Sequence, residues 1–135
     1  MSASRQSFAA YRVLVVDDQE EMIDLLTRML RRIGFADIKT AFSAREAEGL
    51  LNQQAFHLLL TDYSMTGNTG ADLVKKLRSG SLPWATPSDT PVIMITGHGE
   101  RDYVLQARDA GVNAFLIKPV VLGQLEAKVT AVLRG

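Results

Sequence analysis

Five short apolar runs alternate with helical repeats along this chain, and that alternation leaves few folds open. Val13 to Val16 is free of polar residues, as a strand buried on both faces requires. From Glu20, the residues Met22, Ile23, Leu25, Leu26, Met29, Leu30 and Ile33 fall at helical spacing, and Gly34 stands where a C-terminal cap belongs. Ile38 to Phe42 reads as a second strand. Ser43-Ala44-Arg45-Glu46 is a capping box, opening a helix that buries Ala47, Leu50 and Leu51. Leu58 to Thr61 is the third run. A loop with Gly67 and Gly70 precedes a helix marked by Leu73, Val74 and Leu77. Ser79 to Pro91 is rich in Ser, Pro and Thr and reads as a long connection. Val92 to Ile95 is the fourth strand. Asp102 to Ala110 is a helix closed by Gly111, and Ala114 to Ile117 is the fifth strand. Leu122, Leu125, Val129, Val132 and Leu133 form the stripe of a last helix ending at Leu133.

Such alternation demands a parallel sheet with helices on both faces. With 135 residues, a single domain over 11–135 is expected, preceded by a short extension, 1–10. Helical stripes of Leu, Met and Val are read as core rather than as a cofactor box.

Composition removes several functions. Fifteen basic residues balance fifteen acidic ones, so no overall field gathers nucleic acid or an anionic membrane. No Cys is present, which excludes disulfides, thiolate catalysis and thiolate-bound zinc and suits the cytoplasm. No stretch approaches the roughly 20 apolar residues of a membrane span, and Met1 to Tyr11 lacks the apolar run of a signal peptide.

In an open α/β sheet, ligands bind beyond the carboxyl ends of the strands. Asp17 and Asp18 follow the first run, Asp62 the third, Thr96 the fourth, and Lys118 with Pro119 the fifth. Alone, each has a plain structural explanation: Asp-Asp as turn or cap, Thr as a strand end, Lys-Pro as a loop. Together at one edge they match one task. Crowded carboxylates attract a hard cation such as Mg²⁺, and a carboxylate is a competent nucleophile toward phosphorus. Lys118 and Thr96 then stand ready to neutralise a phosphoryl group.

At these residues the chain resembles the receiver domains of bacterial response regulators, the chemotaxis receiver among them. The matching segments are Val13 to Asp18, Leu59 to Met65, Gly70, Val92 to Gly97 and Ala110 to Pro119. The resemblance implies a flavodoxin-like, doubly wound sheet of five parallel strands in the order 2-1-3-4-5, with five helices. It implies Asp62 as phosphoacceptor. Asp18, Asp62 and the Ser64 backbone carbonyl would bind Mg²⁺ directly, with Asp17 acting through bound water. Lys118 would grip the phosphate ahead of a cis peptide to Pro119, and Thr96 with Phe115 would form the switch pair. Ser64 and His98 would border the path of the hydrolytic water. Thr66, Gly97 and Phe115 depart from the commonest pattern, Phe115 by lacking a Tyr hydroxyl.

The implied partners are a histidine kinase or histidine phosphotransfer protein and a target docked on helix four, strand five and the last helix. No output domain, organic cofactor, nucleic acid or membrane contact is expected, so the chain is read as a stand-alone receiver or a piece of a longer protein. It is not expected to be an enzyme beyond its own phosphorylation and dephosphorylation. Three rivals stand beside this reading. An aspartyl phosphatase of the haloacid-dehalogenase type places a second Asp where this chain has Ser64. A non-phosphorylated pseudo-receiver lacks acidic residues or the Lys. A flavodoxin needs a neutral phosphate loop where Asp17 and Asp18 stand.

Overall fold

The computed structural model describes residues 8–65, 68–97 and 101–134. Thr66, Gly67 and His98, to which the sequence reading gave roles, lie outside them. Strand β1 (Arg12–Val16) is followed by helix α1 (Glu20–Ile33), β2 (Asp37–Ala41), α2 (Ala44–Gln53), β3 (Leu58–Asp62), α3 (Gly70–Ser79), β4 (Val92–Thr96), α4 (Arg101–Ala110), β5 (Ala114–Ile117) and α5 (Leu122–Arg134). All five strands are parallel, in the order β2-β1-β3-β4-β5. The expected fold is the observed one.

Alternation along the central strands separates two apolar layers. Leu14, Val16, Leu59 and Met94 face α2, α3 and α4, meeting Leu51, Leu73, Val74 and Ala107. Val13, Val15, Leu60, Ile93 and Ile95 face the other way, onto Ile23, Leu26 and Leu30 of α1 and Leu125 and Val129 of α5. Strands β3 and β4 are buried along their whole length, which explains their unbroken apolar runs. Each fully buried aliphatic side chain contributes about 1.5–3 kcal/mol.

Several local expectations shift. The second strand ends at Ala41, leaving Phe42 exposed, with its backbone N–H donating to Glu46 Oε1 at 2.6 Å. Ser43 Oγ accepts from Glu46 N, the forward half of a capping box. Leu50 is half-buried, whereas Ala47 and Leu51 are fully inside. Gly70 opens α3 instead of lying in the loop, because Thr69 caps that helix by accepting from Asp72 N. A short antiparallel ribbon pairs Ser64–Met65 with Asn68–Thr69, which periodicity over two residues has no means of signalling. Helix α4 begins one residue earlier than expected and α5 runs one residue further, to Arg134.

The segment expected as an extension contributes to the core through Phe8. Its ring is 2% exposed, stacks on Phe35 at 5.1 Å between centroids, and carries the Arg134 guanidinium 4.5 Å above it.

Candidate phosphoryl-acceptor site

Register places the carboxyl ends of β1, β3 and β4 side by side: Val16 pairs with Thr61, and Asp62 with Ile95. Residues just past these pairs therefore converge. Asp18, Gln19, Asp62, Ser64, Thr96, Gly97 and Lys118 line one cavity of about 290 Å³. Asp17, Asp18 and Asp62 each offer a carboxylate oxygen to a group whose members all lie within 4.8 Å of one another. Of the residues expected in the pocket, the structure brings all of the described ones together.

Burial differs sharply among the acids. Asp17 is 1% exposed and Asp62 7%, whereas Asp18 is open to solvent. Asp17 is held by the chain around it, since its Oδ1 accepts from Gln19 N at 2.9 Å. Lys118 Nζ lies 3.2 Å from Asp62 Oδ1 and 3.4 Å from Asp17 Oδ2. A cis peptide joins Lys118 to Pro119, and Lys118 N donates to Thr96 O across the β4–β5 edge. One ammonium thus bridges two of the three carboxylates. Burial pushes the Asp62 carboxyl above its ordinary range and Asp17 adds to the rise, against the pull of Lys118 and a hydrogen bond from the Tyr63 backbone.

This donor set fits a hard divalent cation. Oxygens on opposite sides of Mg²⁺ stand roughly 4 Å apart, given metal–oxygen distances of about 2.1 Å, and the clustered carboxylates span a comparable separation.

Thr96 is fully buried at the end of β4. Phe115 on β5 pairs with Met94 on β4 and packs against the α2–α4 layer. It lines a groove beside Val104, Ala107 and Arg108 of α4.

Sequence reasoning overlooked three neighbours. Gln19 orients Asp17 through its backbone, a contact no side-chain motif announces. Gly70 approaches β3 so closely that a Cβ there would lie 2.1 Å from the Asp62 carbonyl oxygen. Tyr63, directly after Asp62, is buried and donates its hydroxyl to Gln106 Oε1 on α4.

Known proteins match this arrangement. The family model described as the response regulator receiver domain covers residues 13–130. Chemotaxis protein CheY of Pseudomonas aeruginosa is 32% identical over 118 residues, 87% of this chain and 92% of that protein. Response regulator protein PilR of the same organism is 37% identical over 123 residues, which cover 91% of this chain and 26% of PilR. Among solved structures, a putative response regulator from Chloroflexus aurantiacus superposes with a TM-score of 0.83 at 26% identity, covering 93% of this chain and 98% of that one. With that match spanning most of its length and an acidic pocket at the carboxyl ends of its strands, the chain belongs to the response regulator receiver family.

Proposed function

We propose that this chain accepts a phosphoryl group on Asp62 in a Mg²⁺-dependent reaction and signals by phosphorylation-dependent protein binding. The observation that carries the reading is the Asp17–Asp18–Asp62 cluster with Lys118 bridging two of its members. The donor is a phosphohistidine of a kinase or phosphotransfer protein. A P–O bond forms to an Asp62 carboxylate oxygen as the P–N bond breaks, and the electron pair leaves with the imidazole nitrogen.

Asp18, Asp62 and the Ser64 backbone carbonyl would hold Mg²⁺, with Asp17 acting through water. When bound, the cation supplies positive charge against the phosphoryl oxygens. Lys118 turns from the carboxylates to the phosphate as a mobile point charge. Thr96 donates its hydroxyl to a phosphate oxygen, and Phe115 fills the space its movement vacates. Ser64 borders the approach of the water that later hydrolyses the acyl phosphate, a role the family resemblance also gives to His98, which lies outside the described residues. The chain thus catalyses only changes to itself.

The target binds the face of α4, β5 and α5, where Val104, Ile117 and Val121 are exposed apolar residues at 36%, 48% and 53%. A kinase-coupled, cysteine-free chain suits the cytoplasm, and among the described residues no helix is long and apolar enough to cross a membrane.

Acetyl phosphate with Mg²⁺ should add one phosphoryl group by intact mass. Asp62→Ala should remove that gain, and EDTA should prevent it. Equal labelling of wild type and Asp62→Ala would sink the assignment. Lys118→Ala should still take up some phosphate yet bind no target; full target binding by the phosphorylated variant would contradict the role given to Lys118.

A further inference from the structure

We propose that the exposed face of α1 pairs with the same face of a second copy of this chain, the two helices running antiparallel about a two-fold axis. The helix buries Ile23, Leu26, Leu30 and Ile33 against the sheet. Its opposite side carries Glu21, Leu25, Arg28 and Arg32, all exposed, Leu25 at 37%. Spacings of four, three and four set them in one stripe along the helix.

Charge is divided along that helix. Glu20, Glu21 and Asp24 precede Leu25, whereas Arg28, Arg31 and Arg32 follow it. The helix dipole accounts for acids in the first turn and bases in the last. It does not account for Asp24 and Arg28, which stand outside those turns. Among the described residues, no ion pair engages any of the six.

The basic half borders a groove of about 700 Å³ lined by Leu25, Arg28, Met29, Arg31, Arg32 and Leu122. Three guanidinium groups around an apolar floor call for an apolar side chain flanked by carboxylates. The acidic half of the same helix presents that combination, with Leu25 and half-buried Met22 among its three acids. The spacing of the stripe also reads the same from either end. Antiparallel pairing therefore sets Glu21 of each copy opposite Arg32 of the other, and Leu25 opposite the aliphatic stem of Arg28, each contact occurring twice. Parallel pairing would set like charges together. Helix α4 belongs to the opposite layer and stays uncovered. One helix pair is small for a specific interface, under about 1,200 Å², so the dimer is weak and reversible.

Sedimentation equilibrium between about 10 μM and about 1 mM should show the wild-type chain passing from monomer towards dimer. Glu21→Arg and Arg32→Glu each turn both reciprocal attractions into repulsions. Either variant alone should associate at least about tenfold more weakly. Mixed in equal amounts, the two should pair with each other, since every contact across the axis is again between opposite charges. Neither misfolding nor a loss of contacts within one chain would be repaired by mixing. A wild-type chain that stays monomeric throughout the range, single variants that associate as the wild type does, or a mixture no more associated than its components would overturn the proposal.

Discussion

Where the strands of this sheet begin, polar groups are closed off against one another; where they end, three carboxylates cluster and one lysine bridges two of them. At the beginning, the Arg78 guanidinium donates to Gly111 O, Ser88 O, Thr90 O and Asn113 Oδ1 at 2.7–3.0 Å. It ties α3, the long connection and the α4–β5 turn into one unit. Thr86 Oγ1 accepts from Phe56 N and donates to Gln54 O, while Thr90 Oγ1 donates to Phe56 O. The connection reaching Pro91 is therefore a fastened part of the base. At the ending, Asp62 is buried beside Asp17 with its pKa raised by that burial and that neighbour. One edge spends its hydrogen bonds on rigidity, and the other keeps charge in reserve for a ligand.

If the contrast is correct, the backbone at the charged end must be as firmly placed as the base, with only its electrostatics left open. Gly70→Ala tests this most severely. The added Cβ would meet the Asp62 carbonyl oxygen at 2.1 Å and Thr61 Oγ1 at 3.0 Å, so α3 and β3 must separate. Urea denaturation should show a loss of about 3 kcal/mol, the upper range for overpacking. A loss under about 1 kcal/mol would mean that this end yields, and the comparison would fail.

Arg78→Ala probes the base. It removes donors from several backbone carbonyls at once, but water reaches part of the site, so the expected loss is about 2 kcal/mol. Phosphoryl uptake by Asp62 should persist in the folded variant, since among the described residues no Arg78 contact reaches the acidic pocket. Intact-mass labelling that falls in step with the Arg78 substitution would show that the two ends are not separable.

The same contrast explains what could be read from the sequence. Strand-end chemistry was legible because parallel strands of similar length bring the residues that follow Val16, Thr61, Ile95 and Ile117 to one edge. The helix positions were legible from the apolar periodicities, and the sheet order only from the family resemblance. What escaped notice depends on single contacts between distant segments. Nothing local marks Arg78 as joining Ser88 to Gly111, Tyr63 as reaching Gln106, or Phe8 as closing against Phe35 and Arg134. Gly70 was read as loop because glycine signals a turn, whereas its position follows from the lack of room beside Asp62.

The smallest expected effect concerns the reserve of charge itself, because Lys118 offsets part of it. In metal-free buffer, the folded chain holds the Asp62 proton to higher pH than the unfolded chain does, owing first to burial and then to Asp17. Between the ordinary carboxylate value of about 3.9 and the raised one, the native state carries more protons than the unfolded state. Stability contributed at this position therefore falls as pH rises through that window and stays lowered above it. Asp62→Asn cannot ionise and escapes the penalty. Its melting temperature, measured relative to wild type in EDTA, should gain between acid and neutral pH and then level off. Adding Mg²⁺ at neutral pH should raise the wild-type value and close the gap, since the cation stabilises the ionised cluster only when all three acids are present. A gap that is constant with pH would trace the stabilisation to packing of the amide, and the charged end would then be no more poised for a cation than the base.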